Sequence, residues 1–391
     1  MDKKFIYIPS LSAGGYKQYL IEDKILVHSG INSRFYSDDF PENFRYKNFL
    51  LTAGHLYKKK NIREEMGLED SFVFGDSGGF QFASGAKVFD KTIRHELFTF
   101  LEGNCDIAAN LDIPPKMTLA SKFDECLELS IDNFKYFYDN QSGKVKYLNI
   151  LHGTTPEQFI HWYDGIKDFE FSGWATGTAF KLVNWMYTLH TLISNREFEK
   201  ISCEYFHIFG VSSPFDFLIA AKIQECINKY HDGRVTITVD SSSPGLGAVY
   251  GYYYHHVDYN KQSFKKMRFF KGNDIVYPDA PLPCTIGCPA CKNSSIKHFN
   301  TYDTMMTNHV VLHNTLIFAK AAADANDLIK VPSEVLEVLV GRNIIKILKS
   351  IELMFVENSL HVYNKFKQLY LKYGGDHESE QEVKHNFFNF N

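Results

Sequence analysis

The sequence predicts an α/β fold of the (β/α)8 class, the TIM barrel, and three observations carry that reading. Eight short apolar runs recur through the first 240 residues. Stretches with helical spacing and helix-start signals separate them. A polar residue or a glycine closes each run. Strands that alternate with helices imply parallel pairing through right-handed crossovers. Eight such units suggest a closed barrel, with an open doubly wound sheet as the alternative.

The runs are Lys24 to His28, Asn48 to Thr52, Ser71 to Gly75, Asp106 to Leu111, Val145 to Leu151, Gly173 to Thr176, Tyr205 to Val211 and Arg234 to Val239. Ahead of them, Met1-Asp2-Lys3-Lys4 leads into a short apolar strand, with no long apolar segment or cleavage signal. Thr155-Pro156-Glu157 offers an N-cap with proline at the first helical position, and Ser213-Pro214 does the same. Behind Ser213, the residues Phe215, Leu218, Ala221, Ile223 and Ile227 keep rough helical spacing.

The character changes near residue 249. Tyr250, Tyr252, Tyr253 and Tyr254 form a dense aromatic segment. Lys261, Lys265, Lys266, Arg268 and Lys271 follow without an intervening acid, and alternation around Phe264 to Phe270 predicts a β-hairpin. Helices are expected over Val310 to Ala325, Pro332 to Val356 and Ser359 to Tyr373, the last stopped by Gly374-Gly375. The polar tail from Asp376 to Asn391 is expected to fray. The domain reading is a catalytic barrel over 1–248, a hairpin and cysteine-bearing subdomain over 249–312, and helices completing the barrel, with a tail, over 313–391.

Composition sets bounds. Of the 391 residues, 45% are hydrophobic and 23% charged, as in a soluble globular protein. A net charge of -4 advertises no global field for nucleic acid, so any such partner needs local basic patches. No apolar run is long enough to span a bilayer, so a cytoplasmic protein is expected. Seven cysteines is an odd count and argues against a disulfide framework. Cys105, Cys126, Cys203 and Cys226 read as core thiols.

Cys284, Cys288 and Cys291 differ, because they share a knuckle punctuated by proline and glycine. Three neighbouring thiolates want a fourth ligand. His313 is the first candidate, with His309 and His298 as alternatives. A Cys3His set is a closed tetrahedral site for structural Zn2+. Its binding energy would be part of folding. Three reduced, unliganded thiols are the plain alternative.

The strand ends carry the chemistry. Asp76, Asp112, His152, Gly177, Gly210 and Asp240 each lie at or just after the end of a run. In a barrel those ends converge on one face. Asp76 opens the stretch Asp76-Ser77-Gly78-Gly79-Phe80-Gln81, where glycines let a small planar ligand approach the backbone.

Taken together, these residues resemble the tRNA-guanine transglycosylase family. The match covers roughly Asn48 to Ala323, in the family's order. Asp76 to Gln81 looks like the family's signature strand end. The segment from Cys105 through Asp112 resembles the one bearing its base-reading aspartate. Leu151-His152-Gly153 stands where the family has a Gln-Gly pair, and Ser172 to Thr178 where it has a glycine-rich strand. Val239-Asp240-Ser241-Ser242 resembles its nucleophile segment. Cys284 to Cys291 with Leu312-His313-Asn314 resembles its zinc motif.

The resemblance implies roles. Asp240 would be the nucleophile and Asp76 the acid and base. Asp112 would accept two hydrogen bonds from the guanine edge, and Phe80 would stack on the base. His152 and the Gly173 backbone would touch its other polar edge, with Gly177 and Thr178 near the 7-substituent. Ser77, Gly78 and Gln81 belong to the same substrate-binding stretch.

Departures from the pattern point away from tRNA. The region around Tyr7 to Gly15 is unlike the usual first strand. The spacing between the first two thiols is longer. Histidine stands for glutamine at 152, Ser172 for glycine and Thr178 for glutamate. The arginines after the bacterial nucleophile are missing. A divergent branch, often viral, exchanges guanine in DNA for 7-deazaguanines such as preQ0, and the chain looks more like that branch. A viral member would work in its host's cytoplasm.

The expected partner is therefore DNA, with tRNA as the alternative. Lys265, Lys266 and Arg268 would hold the nucleic-acid backbone. The run Tyr57-Lys58-Lys59-Lys60 with Arg63 is a second, weaker basic patch. A catalytically inactive partner subunit and a glycoside hydrolase are the competing classes. A homodimer, or a helper protein that opens the duplex, stays open.

Overall fold

The computed structural model describes residues 2–10, 20–22, 25–26, 29–79, 91–115, 122–177, 182–269, 277–299 and 304–373. Eight strands form one parallel sheet: β1 (Ile6–Pro9), β2 (Asn48–Thr52), β3 (Phe72–Asp76), β4 (Ile107–Ala109), β5 (Lys146–Leu151), β6 (Gly173–Thr176), β7 (Tyr205–Ile208) and β8 (Thr236–Ser241). Each of β2 to β8 pairs with its sequence neighbour, and β1 pairs with β8. A parallel bridge between Ser10 and Leu50 brings β1 beside β2, so the sheet nearly closes into a barrel.

The expected first strand is corrected. Ile25–Leu26 pairs antiparallel with Ile31–Asn32 in a separate small ladder. Ile25 is exposed, whereas Tyr7 and Ile8 are buried on both sides of β1. A barrel strand needs both faces apolar, and the short run near the N-terminus meets that condition. The other seven expected runs all hold barrel strands.

Helices cover the outside between successive strands from β3 onward: Lys91–Asn104, Phe123–Asn140, Pro156–Ile166, Leu182–Ser194 and Pro214–Tyr230. Both predicted starts hold. The Thr155 side chain accepts the Gln158 N–H. Ser213 and Asp216 exchange hydrogen bonds in a capping box.

The eighth crossover is interrupted by the insertion. After β8 come a short helix (Ser243–Val249), the antiparallel hairpin β9 (Tyr252–Asp258) and β10 (Ser263–Arg268), and the cysteine knuckle. Only then does Thr304–Leu328, the long helix, return to the barrel. There Asn326 accepts the Phe5 N–H and donates to the Phe5 carbonyl, both at 3.1 Å, pinning the chain just before β1.

The expected helix over Pro332 to Val356 is two helices, Ser333–Val340 and Arg342–Val356, because Gly341 adopts φ 87° between them. Glu352 ties the second to the barrel layer, accepting from Lys222 and Lys229 at 2.8 Å each.

Side chains fill the barrel in layers, as such barrels require. Phe72 meets Tyr205 near the N-terminal ends, and Phe74 stacks on His207 one layer up. Gly173 opens β6 beside Tyr205 with φ 142°, and a Cβ there would lie 2.0 Å from the Tyr205 carbonyl oxygen. Gly173→Ala is therefore expected to destabilise the fold by roughly 2–3 kcal/mol, through overpacking and backbone strain. Urea unfolding of the two proteins checks this.

Candidate active site and metal centre

The C-terminal strand ends bring the acids to one face. Asp76 is the last residue of β3, Asp112 follows β4 by three residues, and Asp240 is the penultimate residue of β8. Burial pushes the Asp76 carboxyl up to about 6. The Gly78 N–H, 2.9 Å from Oδ1, works against that, as does the Thr52 hydroxyl, while the charges of Asp240 and Asp112 add to it. Asp76 still keeps partial solvent contact. The turn behind it is fixed by the Ser77 hydroxyl, which donates to the Asn110 carbonyl at 3.0 Å. Gly79 abuts Asp112 so closely that a Cβ would lie 2.2 Å from its carbonyl oxygen and 2.7 Å from Oδ1.

Asp112 does not stand alone. Its Oδ2 accepts a hydrogen bond from His152 Nε2 at 2.6 Å, inside a buried pair. One carboxylate oxygen is thus engaged by the histidine. Oδ1, and a second lone pair on Oδ2, remain for a ligand. His152 Nδ1 is buried and has no hydrogen-bond partner among the described residues. Trp162 packs edge-on at 4.6 Å, and Gly177 closes the other side, where a Cβ would lie 2.3 Å from Nδ1.

Asp240 is held by β7. Its Oδ1 accepts the Gly210 N–H at 2.7 Å, a geometry that Gly210 reaches at φ 76°. His207 Nε2 stands 3.6 Å from the same oxygen. This histidine escaped the sequence reading. Its signal was a polar residue at an inward position of the otherwise apolar run Tyr205 to Val211.

Gly173 is not part of this face. It lies at the opposite, N-terminal end of β6, so the expected base contact through its backbone is withdrawn. Phe80, Gln81 and Thr178 lie outside the described residues.

On the hairpin, Lys265, Lys266 and Arg268 are exposed. Lys265 pairs with Asp258 at 3.4 Å, and the Lys266 and Arg268 cations sit 4.8 and 5.3 Å from the Tyr252 ring centre. Phe264 and Phe269 are buried beneath.

The four expected metal ligands cluster. Donor atoms of Cys284, Cys288, Cys291 and His313 all lie within 4.8 Å of one another, and the set could hold a metal ion. His313 Nδ1 is 3.2 Å from the sulfurs of Cys288 and Cys291 and 3.8 Å from that of Cys284. A tetrahedral ion with bonds of ~2.3 Å to sulfur and ~2.0 Å to nitrogen implies nitrogen–sulfur edges of about 3.5 Å, close to those distances. His313 Nε2 donates to the Tyr254 carbonyl at 2.6 Å, which leaves the Nδ1 lone pair facing the sulfurs. The Tyr253 ring stacks on the imidazole at 4.0 Å. His298 and His309 are outside the cluster.

The adjoining Asn314 was named in the sequence, but its role was not. Its side chain accepts the Tyr254 N–H and donates to the carbonyls of Tyr252 and Pro244. It thereby ties the hairpin to the turn after Asp240. Compared with known protein families and with curated proteins, the chain matches none.

A carboxyl with a raised folded-state value holds its proton more tightly folded than unfolded. Stability at Asp76 is therefore lost as pH rises from its ordinary 3.8 through about 6. Asp76→Asn keeps an acceptor for Gly78 and carries no charge. Its stability relative to the parent is expected to be equal below about pH 4, to grow up to about pH 6 and then to level off, at a gain on the order of 2 kcal/mol. Denaturant melts across pH 4 to 8 measure it.

Proposed function

We propose that this protein exchanges guanine in DNA for a 7-deazaguanine base such as preQ0, through a covalent aspartyl–sugar intermediate. The observation that carries the reading is the meeting of three acids from three strand ends, close enough that Asp76 senses the charges of Asp240 and Asp112. The family resemblance supplies the reaction, and the order of motifs along the chain supports it.

In the first half-reaction Asp240 attacks C1′ of the target nucleotide. Oδ2 does so, because Oδ1 is occupied by the Gly210 N–H. The C1′–N9 bond breaks and its electron pair leaves with guanine. Asp76, whose carboxyl is raised to about 6, donates the proton that the departing base takes up. In the second half the incoming base gives its N9 proton to Asp76. N9 then bonds to C1′, the ester C1′–O bond breaks, and Asp240 returns as a carboxylate.

Asp112 selects the base. Guanine and its 7-deaza analogues present N1–H and an exocyclic amine side by side, two donors for one carboxylate; adenine does not. His152 holds Asp112 in place through its Nε2–H. A duplex target must be flipped out of its stack, at a cost of ~ a few kcal/mol. Lys265, Lys266 and Arg268, around Tyr252, supply cations and an aromatic face for the displaced strand.

Cys284, Cys288, Cys291 and His313 would hold Zn2+. Three thiolates and an imidazole complete its shell, so the ion serves structure, locking the hairpin to the long helix. Purified protein is expected to carry stoichiometric zinc by plasma mass spectrometry, and His313→Ala to lose it and melt at a lower temperature. Metal-free protein with an unchanged melting point removes this assignment.

The function is tested with isotope-labelled preQ0 and either duplex DNA or tRNA, followed by nucleoside mass spectrometry. Label is expected in DNA, and Asp240→Asn is expected to lower incorporation by about a thousandfold or more. Label in tRNA alone would transfer the activity to that substrate. Label in neither would overturn the proposal.

A further inference from the structure

We infer that His207 is a positioning residue for the nucleophile, the middle member of a chain Thr238–His207–Asp240; the inference rests on the base-exchange reading. His207 lies on β7 inside the barrel and is fully buried. Phe74 stacks on its ring at 4.0 Å and Phe209 meets it edge-on at 4.3 Å. Nδ1 is 2.8 Å from the Thr238 hydroxyl oxygen, and Nε2 is 3.6 Å from Asp240 Oδ1. Nε2 has no hydrogen-bond partner among the described residues.

A purely packing role does not account for this arrangement. The same space could be filled by a phenyl ring, which would bury no polar atom. The two neighbours also select one tautomer. An ionised carboxylate accepts only, so a bare Nε2 facing Asp240 would set two lone pairs against each other in a buried site. The stable form carries its proton on Nε2 and accepts the Thr238 hydroxyl proton at Nδ1. A shift of about half an ångström would bring Nε2 within hydrogen-bond distance of Oδ1. The apolar walls keep the ring neutral, so it lends a dipole and adds no charge beside the nucleophile.

The consequence concerns which oxygen reacts. The Gly210 N–H and the His207 N–H converge on Oδ1, and Oδ2 has no partner among the described residues. After attack, Oδ1 is the carbonyl oxygen of the sugar ester. When the ester breaks, charge returns to an oxygen already faced by two donors. His207 thus orients Asp240 without touching the substrate.

The test has two arms. The first is nitrogen-15 NMR of the intact chain with labelled histidine. The residue 207 signals are assigned by their loss in His207→Phe or, where that variant does not fold, in His207→Gln. A protonated Nε2 with a bare Nδ1 is expected; the opposite tautomer overturns the inference. The second arm is kinetic. His207→Phe keeps the ring packing and is expected to slow formation of the covalent intermediate by about ten- to a hundredfold. The KM for the incoming base should change little, and His207→Gln, which keeps a donor, should restore most of the rate. A His207→Phe variant as fast as the parent overturns the inference. Should the parent exchange no base on DNA or tRNA, the proposed function falls, and the tautomer alone decides the role of His207.

Discussion

Three like charges gathered at one barrel mouth are the constraint to which the rest of the structure answers. Burial raises the cost of ionising Asp76 most, and the nearby charges of Asp240 and Asp112 add to it. Among the described residues, the surroundings answer with donors rather than counter-charges. Gly78 gives an N–H to Asp76, Gly210 gives one to Asp240, and His152 gives one to Asp112. The two backbone donors carry no charge and leave the pocket's charge intact for a ligand rich in N–H groups. A lysine or arginine in their place would cancel the charge that such a ligand reads.

The insertion between β8 and the long helix belongs to the same design. Three side chains of that helix each meet a different part of the molecule. His313 joins the cysteine cluster, Asn314 spans the hairpin and the turn after Asp240, and Asn326 pins the chain before β1. Phe318 packs between them, against Phe264 and Tyr254 of the hairpin and against Tyr7 of β1. The helix thus couples barrel closure, the Cys3His cluster and the strand bearing Asp240 through one rigid element. Its inner face is polar at the points where backbone must be held and aromatic where surface must be buried.

Much of this was legible in the sequence. Where a strand is buried on both faces its apolar run is continuous, and those runs located β2 to β8. The Cys3His cluster was legible because thiols spaced by turn residues have few other uses. The misses have physical causes. Lys24 to His28 mimics a strand, but Ile25 and Leu26 pair antiparallel with Ile31–Asn32 outside the barrel, and Ile25 stays exposed. Gly341 breaks a helix that periodicity alone would continue, since Leu336 and Val340 on one side and Ile344 and Ile345 on the other keep the spacing. His207 and Asn314 went unread because each acts on a partner distant in the chain.

The glycines of the catalytic face show best what a linear reading leaves out. In the sequence they suggest room for a ligand. In the fold, several make room for the protein's own groups, each standing one strand away from the side chain it serves. Gly79 at the end of β3 yields to Asp112 after β4, and Gly177 after β6 yields to His152 after β5. Gly210 after β7 turns its N–H onto Asp240 of β8. A side chain at 79 or 177 would displace Asp112 or His152 before it met any base. These glycines therefore act indirectly, by letting adjacent strand ends interlock. That interlocking holds acids from separate crossovers in fixed relation to one another, as the proposed two-step exchange at a single carbon would require.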